Sequence, residues 1–169
     1  MATGYVDYSE MVKFLEKLES FRDKEKEVLI ESCAKELAAR LLQKVIPRTP
    51  VGDYSNLMPG YERDTAGTLR RNWTGGKDMD AKAFADTLKI SKLGNTYTIT
   101  VENPTKYASF VEFGHSQTPG RYVPAIGKSL KKGWIEGQSF LTISENEIRG
   151  IAPSVLEKKM KQALSEVFR

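Results

Sequence analysis

The feature that most constrains the fold is an apolar stripe that recurs at every fourth residue in the first third of the chain. Apolar side chains spaced by four residues line one face of a helix. The residue before a proline is pushed out of helical geometry, and Pro47 follows the stripe directly. The sequence therefore predicts a long amphipathic helix that ends near Pro47. The stripe consists of Leu29, Cys33, Leu37, Leu41 and Val45.

A shorter helix is expected before this one. Asp7 and Glu10 have the spacing of a capping box, and apolar residues from Met11 to Phe21 then recur on one face. Six charged residues, 22–27, separate the two apolar stripes. We therefore assign helices to residues 8–46, with Cys33 as a plain core residue on the second stripe.

A long loop is predicted over residues 47–67, which are rich in proline and glycine. This segment exceeds the roughly 12–15 residues of most unstructured connections, and long loops tend to be functional or to order against a partner. We therefore treat it as a candidate docking loop for a partner protein. Its candidate contact residues are Asp53, Tyr54, Leu57, Met58 and Tyr61.

Three strands are predicted next, within residues 68–103. Segments 69–74, 87–92 and 97–102 each carry apolar residues at alternate positions, and Gly94-Asn95 is a plausible hairpin turn between the last two. Three strands make a small antiparallel sheet, and one helix could cover its apolar face.

Residues 107–113 are predicted to form a short helix that Gly114 ends. A second loop is expected over 114–124. Ser144 and Glu147 have capping-box spacing and open a predicted C-terminal helix, 144–168, which Pro153 kinks or restarts. The fold class is therefore α+β, a single domain over 1–169 with helices at both ends and a small antiparallel sheet between them.

Composition narrows the function classes. The chain has one cysteine, one histidine and no run of 18 apolar residues, which argues against an internal disulfide, a Cys/His zinc site and a membrane span. His115 lies in a loop three residues after Glu112, and no nucleophile has supporting context. We therefore expect no catalytic residue, no metal, no cofactor and no membrane partner.

Four short motifs, in this order, resemble one family of tailed-bacteriophage proteins. They are Thr49-Pro50-Val51, the stretch 67–73 (Gly-x-Leu-Arg-x-x-Trp), the stretch 107–114 (Tyr-Ala-x-x-Val-Glu-Phe-Gly) and Pro119-Gly120-Arg121. The family is that of head–tail joining proteins, also described as tail-completion, neck, minor tail or minor capsid proteins. The resemblance covers about residues 10–126, and 52–64 is an insertion relative to the family pattern. Residues 133–145 are similar to a longer subgroup in contractile-tailed phages and prophages.

The resemblance implies a structural role in the virion neck or tail, assembled in the bacterial host cytoplasm. It implies a homo-oligomeric ring, a hexamer, that contacts neighbouring connector, tail-tube or terminator proteins and catalyses nothing. A closed ring needs two different adhesive faces on each subunit. Our candidate ring-interface residues are Arg70, Arg71, Trp73, Tyr107, Phe110, Glu112, Phe113, His115 and Arg121.

Nucleic-acid binding is the alternative function. The net charge is +4, and segment 121–134 carries Arg121 and three lysines close to Tyr122 and Trp134. Basic side chains beside exposed aromatics suit phosphate contacts and base stacking. A neck protein could also make weak contact with DNA in the channel.

Overall fold

The structure is a computed structural model of the 169-residue chain. It describes residues 12–13, 16, 25–52, 57–58, 66–94 and 96–167. Most of the predicted first helix, including Asp7 and Glu10, lies outside the described residues, although residues 12, 13 and 16 are helical.

The described chain contains five α-helices and six short strands, which confirms the α+β class with a long first helix, a short central helix and a C-terminal helix. The helices are α1 (Lys26–Arg48), α2 (Thr68–Arg71), α3 (Ala81–Thr87), α4 (Ala108–Phe113) and α5 (Phe140–Val167). The strands are β1 (Ile90–Leu93), β2 (Thr96–Ile99), β3 (Gly114–Ser116), β4 (Tyr122–Val123), β5 (Lys128–Ser129) and β6 (Trp134–Glu136).

Helix α1 is the central element of the fold, and α3, α5 and β2 pack against it. Cys33 and Val45 are buried as predicted, but Leu37 and Leu41 are only half-buried and Leu42 is fully buried instead. A row of residues spaced by four winds around a helix with 3.6 residues per turn, so it cannot stay on one straight buried face. The helix also runs one residue past Pro47, which occupies its last turn.

The core forms around Trp73. Its ring packs edge-on against Phe140 of α5, with 6.2 Å between ring centroids and an interplanar angle of 80°. Leu42, Leu69 and Ala85 belong to the same buried cluster. One aromatic side chain thus joins the segment after α2 to both long helices.

The predicted strand 69–74 is wrong: these residues form α2 and a following 3-10 turn, Asn72–Thr74. Leu69 and Trp73 are four residues apart, a spacing that fits one helical face as well as alternate positions of a strand. Gly67 precedes the helix with φ of 90°, a left-handed conformation that glycine adopts at little steric cost.

The predicted hairpin is confirmed in its strands. Strands β1 and β2 pair antiparallel from Ile90 with Ile99 to Leu93 with Thr96, and Gly94 begins the turn with φ of 58°. The predicted strand 87–92 starts too early, because Thr87 is the last residue of α3 and β1 begins only at Ile90. The N-terminus of α3 is capped by Asp80, which accepts hydrogen bonds from the amides of Lys82 and Ala83. No third strand joins this pair in the described chain, which holds three separate two-stranded ladders.

The predicted loop 114–124 is part of a β-ribbon. Strand β3 pairs with β6, and β4 pairs with β5, with backbone hydrogen bonds linking the two ladders into one continuous pair of strands. Gly120 and Arg121 both bond to Leu130, so two residues oppose one and form a bulge. We call residues 114–136 the arm.

Helix α5 begins four residues before the predicted capping box and continues through Pro153. Ser144 is therefore inside the helix, where its hydroxyl donates to the Phe140 carbonyl at 2.6 Å and accepts from Arg48 at 2.8 Å. Glu147 bonds to Lys44 and Arg48 of α1. The predicted capping pair is wrong as a cap; the two residues instead fasten α5 to α1.

Candidate functional site

The first two family-like motifs meet at Thr49, directly after α1. The indole Nε1 of Trp73 donates to the Thr49 hydroxyl at 2.7 Å, and that hydroxyl donates to the Val45 carbonyl at 2.7 Å. The Arg70 guanidinium donates to the Thr49 carbonyl at 2.7 Å and 3.0 Å and to the Pro47 carbonyl at 3.2 Å. These bonds satisfy groups at the carboxyl end of α1, so the motif residues Thr49, Arg70 and Trp73 hold the fold together.

The third motif supplies the N-terminal cap of α5. The Glu112 carboxylate accepts bonds from the Leu141 amide at 2.9 Å, the Thr142 amide at 2.9 Å and the Thr142 hydroxyl at 2.7 Å. Its side chain is 3% exposed. A carboxylate at a helix N-terminus pairs the free amides and interacts favourably with the helix dipole. Glu112 therefore performs the capping role that the sequence had suggested for Ser144.

The end of α4 and the start of α5 are also joined by two close glycines. A β-carbon on Gly114 would lie 2.8 Å from the Gly137 amide nitrogen and 2.9 Å from the Trp134 ring, and one on Gly137 would overlap the backbone of Glu112 and Phe113. The Gln138 and Ser139 amides donate to the carbonyls of Val111 and Glu112 at 2.8 Å and 3.0 Å. The base of the arm is thus fixed rigidly to the helical body.

A cleft of about 260 Å³ lies where three of the motifs come together. Its walls are residues 50–52, residues 67–69, the inner side of α4, and Gln138. The lining is mostly apolar and backbone, which suits an inserted side chain or loop of another protein rather than a reactive substrate. Val111 of α4 and Tyr107, the residue directly before this helix, also line it.

Helix α4 exposes two phenylalanines on its outer side. Residues at 100° intervals place Ala108 and Glu112 toward the core, and Phe110 and Phe113 about 60° apart on the opposite side. Phe110 is 56% exposed and Phe113 68% exposed. Both are candidate ring-interface residues from the sequence, and the structure leaves both exposed. We call Phe110 and Phe113 the aromatic face.

His115 lies beside this face. Its ring is 5.8 Å from the Phe110 ring, and its Nδ1 is buried with no hydrogen-bond partner among the described residues. Trp134, 48% exposed, lies against Gly114 at the base of the arm. Aromatic side chains with a polar atom between them are typical of protein interfaces.

The other predicted surface residues are placed differently. Trp73, 2% exposed, and Glu112 are buried, so these two cannot form part of an exposed face as predicted. Tyr107, Arg71 and Arg121 are exposed, and Arg71 donates to the Ala66 carbonyl at 2.8 Å. The structure therefore gathers Phe110, Phe113 and His115 on one side and separates Arg121, which lies on the arm.

Only part of the candidate docking loop is described. Leu57 is half-buried, and the Met58 amide donates to the Ala125 carbonyl at 2.9 Å while its thioether lies beside Gly127. This part of the loop packs on the tip of the arm. Asp53, Tyr54 and Tyr61 lie outside the described residues.

The shifted pKa values of Cys33 and Glu147 bear on the predictions made from the sequence. Burial raises the pKa of the Cys33 thiol, as expected for a core cysteine rather than a nucleophile. Hydrogen bonds from Lys44 and Arg48 lower the pKa of the Glu147 carboxyl. Within the described ranges, no three His, Cys, Asp or Glu side chains come together as a metal site, and no helix there is long and apolar enough to span a bilayer.

Sequence reasoning missed two features that shape this site. Helix α3 could have been found from Asp80, a good capping residue followed by the helix-forming stretch 81–85. The arm has no comparable signal, because its strands lack regular alternation of apolar and polar residues.

Comparison with known proteins identifies the family. A family model described as "Bacteriophage HK97-gp10, putative tail-component" matches residues 12–114, more than half of the chain. Comparisons with curated proteins and with solved structures gave no match. The matched segment contains the Thr49–Arg70–Trp73 contacts, the Glu112 cap and the aromatic face, and ends at the first residue of the arm. The chain belongs to the HK97-gp10-like family of bacteriophage tail components.

Proposed function

We propose that this protein is a non-enzymatic structural subunit that forms a ring at the head–tail junction of a phage or phage-derived tail. The ring is a hexamer in which each subunit contacts two neighbours of the same kind. It completes the tail by docking to connector, tail-tube or terminator proteins in the virion, after assembly in the host cytoplasm. Membership of a tail-component family supports the structural role.

The aromatic face is the observation that carries the proposal. Phe110 and Phe113 project from a six-residue helix that is anchored by Glu112 and Gly114, so their positions are fixed before any partner arrives. Exposed, rigidly held aromatics lose little conformational entropy on binding, and aromatics are enriched in interface hot spots.

A ring requires a second, different face on each subunit. The cleft beside residues 50–52 is our candidate, because it lies on the inner side of α4, away from the aromatic face. A protruding aromatic of one subunit and a mostly apolar cleft of the next would make the heterologous contact that closes a ring. Val51 and Tyr107, both exposed, belong to this second face.

Native mass spectrometry of the purified protein tests the ring. We expect closed oligomers of the wild-type chain and monomers of the double variant Phe110→Ser/Phe113→Ser, with an unchanged circular dichroism spectrum. Leu93→Ser is the matched control, because Leu93 is 87% exposed at the β1–β2 turn. Unchanged oligomers in the double variant would exclude the aromatic face. The ring would be excluded if the wild-type chain stayed monomeric even after it was added to phage tails or heads from which this protein is missing.

We propose that the docking loop contacts a protein of an adjacent ring. Its described part is held in place against the arm tip by Met58. Deleting residues 53–63 should leave the oligomer intact but stop particle completion in a reconstitution assay. Normal particle yield from the deletion variant would remove the loop from the docking surface.

A further inference from the structure

The net positive charge of this protein is concentrated on the arm. Within the arm, residues 115–135 contain four basic side chains and no Asp or Glu, and Glu136 at its base is the acidic residue of the arm. The chain has 26 Lys and Arg against 22 Asp and Glu, so the sequence outside residues 115–135 holds 22 of each and is balanced. The basic residues of the arm are Arg121, Lys128, Lys131 and Lys132.

These four cations are exposed and unengaged. All four side chains are on the surface, and none of them makes an ion pair or a hydrogen bond with another described residue. Some basic residues outside the arm form ion pairs, as Lys44 and Arg48 do with Glu147. Four free cations on one element leave a positive potential that favours binding of a polyanion.

The arm also has the shape of a binding element. None of residues 115–137 is buried, and between its anchored base and the Met58 contact at its tip the ribbon is partly or fully exposed. A two-stranded ribbon without further packing is marginally stable in water at best. A partner that covers the ribbon would therefore stabilise it. A two-stranded ribbon fits the major groove of duplex DNA, and the exposed rings of Tyr122 and Trp134 can contact sugars or unpaired bases.

We infer that the arm binds the phosphate backbone of duplex DNA, without sequence preference, through Arg121, Lys128, Lys131 and Lys132. A second copy of this chain is a poorer partner for the arm, because the chain outside the arm carries a net charge of +1 and does not complement it. The inference concerns a surface apart from the aromatic face and does not depend on the formation of a ring.

Salt dependence of binding is the test. Binding of a fluorescent duplex to the full-length chain is measured by anisotropy between 50 and 200 mM salt. Four phosphate contacts predict that affinity falls by about 150-fold over this range, from a slope of about −0.9 per contact. Removing three charges with Lys128→Gln/Lys131→Gln/Lys132→Gln should reduce that fall to about 3- to 4-fold and weaken binding at low salt.

The control removes the same charge elsewhere. Lys77, Lys89 and Lys158 are exposed and lie outside the arm, and their triple Gln variant should bind DNA like the wild type. Equal loss in both triple variants would overturn the inference, since net charge alone would then explain binding. So would absence of DNA binding at 50 mM salt. Arm-dependent binding of poly-glutamate without binding of DNA would also overturn it and identify an acidic protein as the partner.

Quenching of Trp134 fluorescence locates the contact. The chain has two tryptophans, and Trp73 is buried in the core, so DNA on the arm should change the emission of Trp134. The variant Trp134→Phe should lose this signal while keeping the salt-dependent affinity. A signal that persists in Trp134→Phe would mean that the DNA lies elsewhere.

Discussion

Replacing Glu112 should destabilise the fold, because its carboxylate is the cap of α5. Glu112→Ala removes three accepted hydrogen bonds and leaves two amides and a hydroxyl without their partner. A buried donor without a partner costs about 1–3 kcal/mol, and loss of a helix cap costs about 0.5–2 kcal/mol. Thr142 is exposed, so water can replace part of the loss. We therefore expect a destabilisation of about 2–4 kcal/mol.

The variant Glu112→Gln separates the lost charge from the lost volume. It keeps one acceptor oxygen but turns an amide NH₂ toward the donors, so we expect about 1–2 kcal/mol. For a chain of this size each kcal/mol lowers Tm by about 2–4 °C, giving about 2–8 °C for Glu112→Gln. Thermal and urea unfolding followed by circular dichroism measure both quantities.

Two further variants make this test decisive. Glu145→Gln, an exposed acid on the same helix, should change stability by less than about 0.5 kcal/mol. Thr142→Ala should cost less in the Glu112→Ala background than in the wild type, with a coupling of at least about 0.5 kcal/mol. A Glu112→Gln variant with the wild-type Tm, or the absence of coupling, would refute the capping role. Since Glu112 is buried, Glu112→Lys should unfold the chain rather than only block assembly.

Two other predictions follow from the same geometry. Gly114→Ala should destabilise the protein far more than Gly120→Ala. Both glycines have positive φ, which costs an alanine about 1–2 kcal/mol. An added β-carbon at Gly114 would also clash with Ile135, Gly137 and Trp134, whereas one at Gly120 would meet nothing within 4 Å. Equal Tm values of the two variants would contradict this. Hydrogen bonds from Lys44 and Arg48 lower the pKa of the Glu147 carboxyl in the folded protein below its ordinary value of 4.5. These bonds therefore stabilise the fold fully at a pH above 4.5, and the stabilisation is lost as the pH falls through the lowered pKa. The Tm difference between the wild type and Glu147→Gln should therefore shrink from about pH 7 to about pH 3, and a constant difference would contradict the assignment.

Local pattern was sufficient where neighbouring residues decide the structure. The period of α1, the Gly94 turn between β1 and β2 and the stop of α4 at Gly114 each depend on residues within one or two turns, so the sequence predicted them. The segment 69–74 failed because six residues cannot distinguish a helical from an alternating pattern when Leu69 and Trp73 fit both. In the folded protein, where segment 69–74 is helical, Trp73 packs against Phe140, which lies 67 positions later in the sequence.

The sequence by itself determined the long amphipathic helix α1, the β1–β2 hairpin, the resemblance to a phage family and the concentration of positive charge in segment 121–134. Only the tertiary structure decided that Glu112 faces inward while Phe110 and Phe113 face outward, and that the charged segment lies on a two-stranded arm. The physical reason is the separation along the sequence between the residues that contact each other. Glu112 meets its partners about 30 residues away at Leu141 and Thr142, and the arm pairs residues up to 22 positions apart. The period of a helix depends on residues in adjacent turns, whereas a cap supplied by another element forms only when the chain has folded.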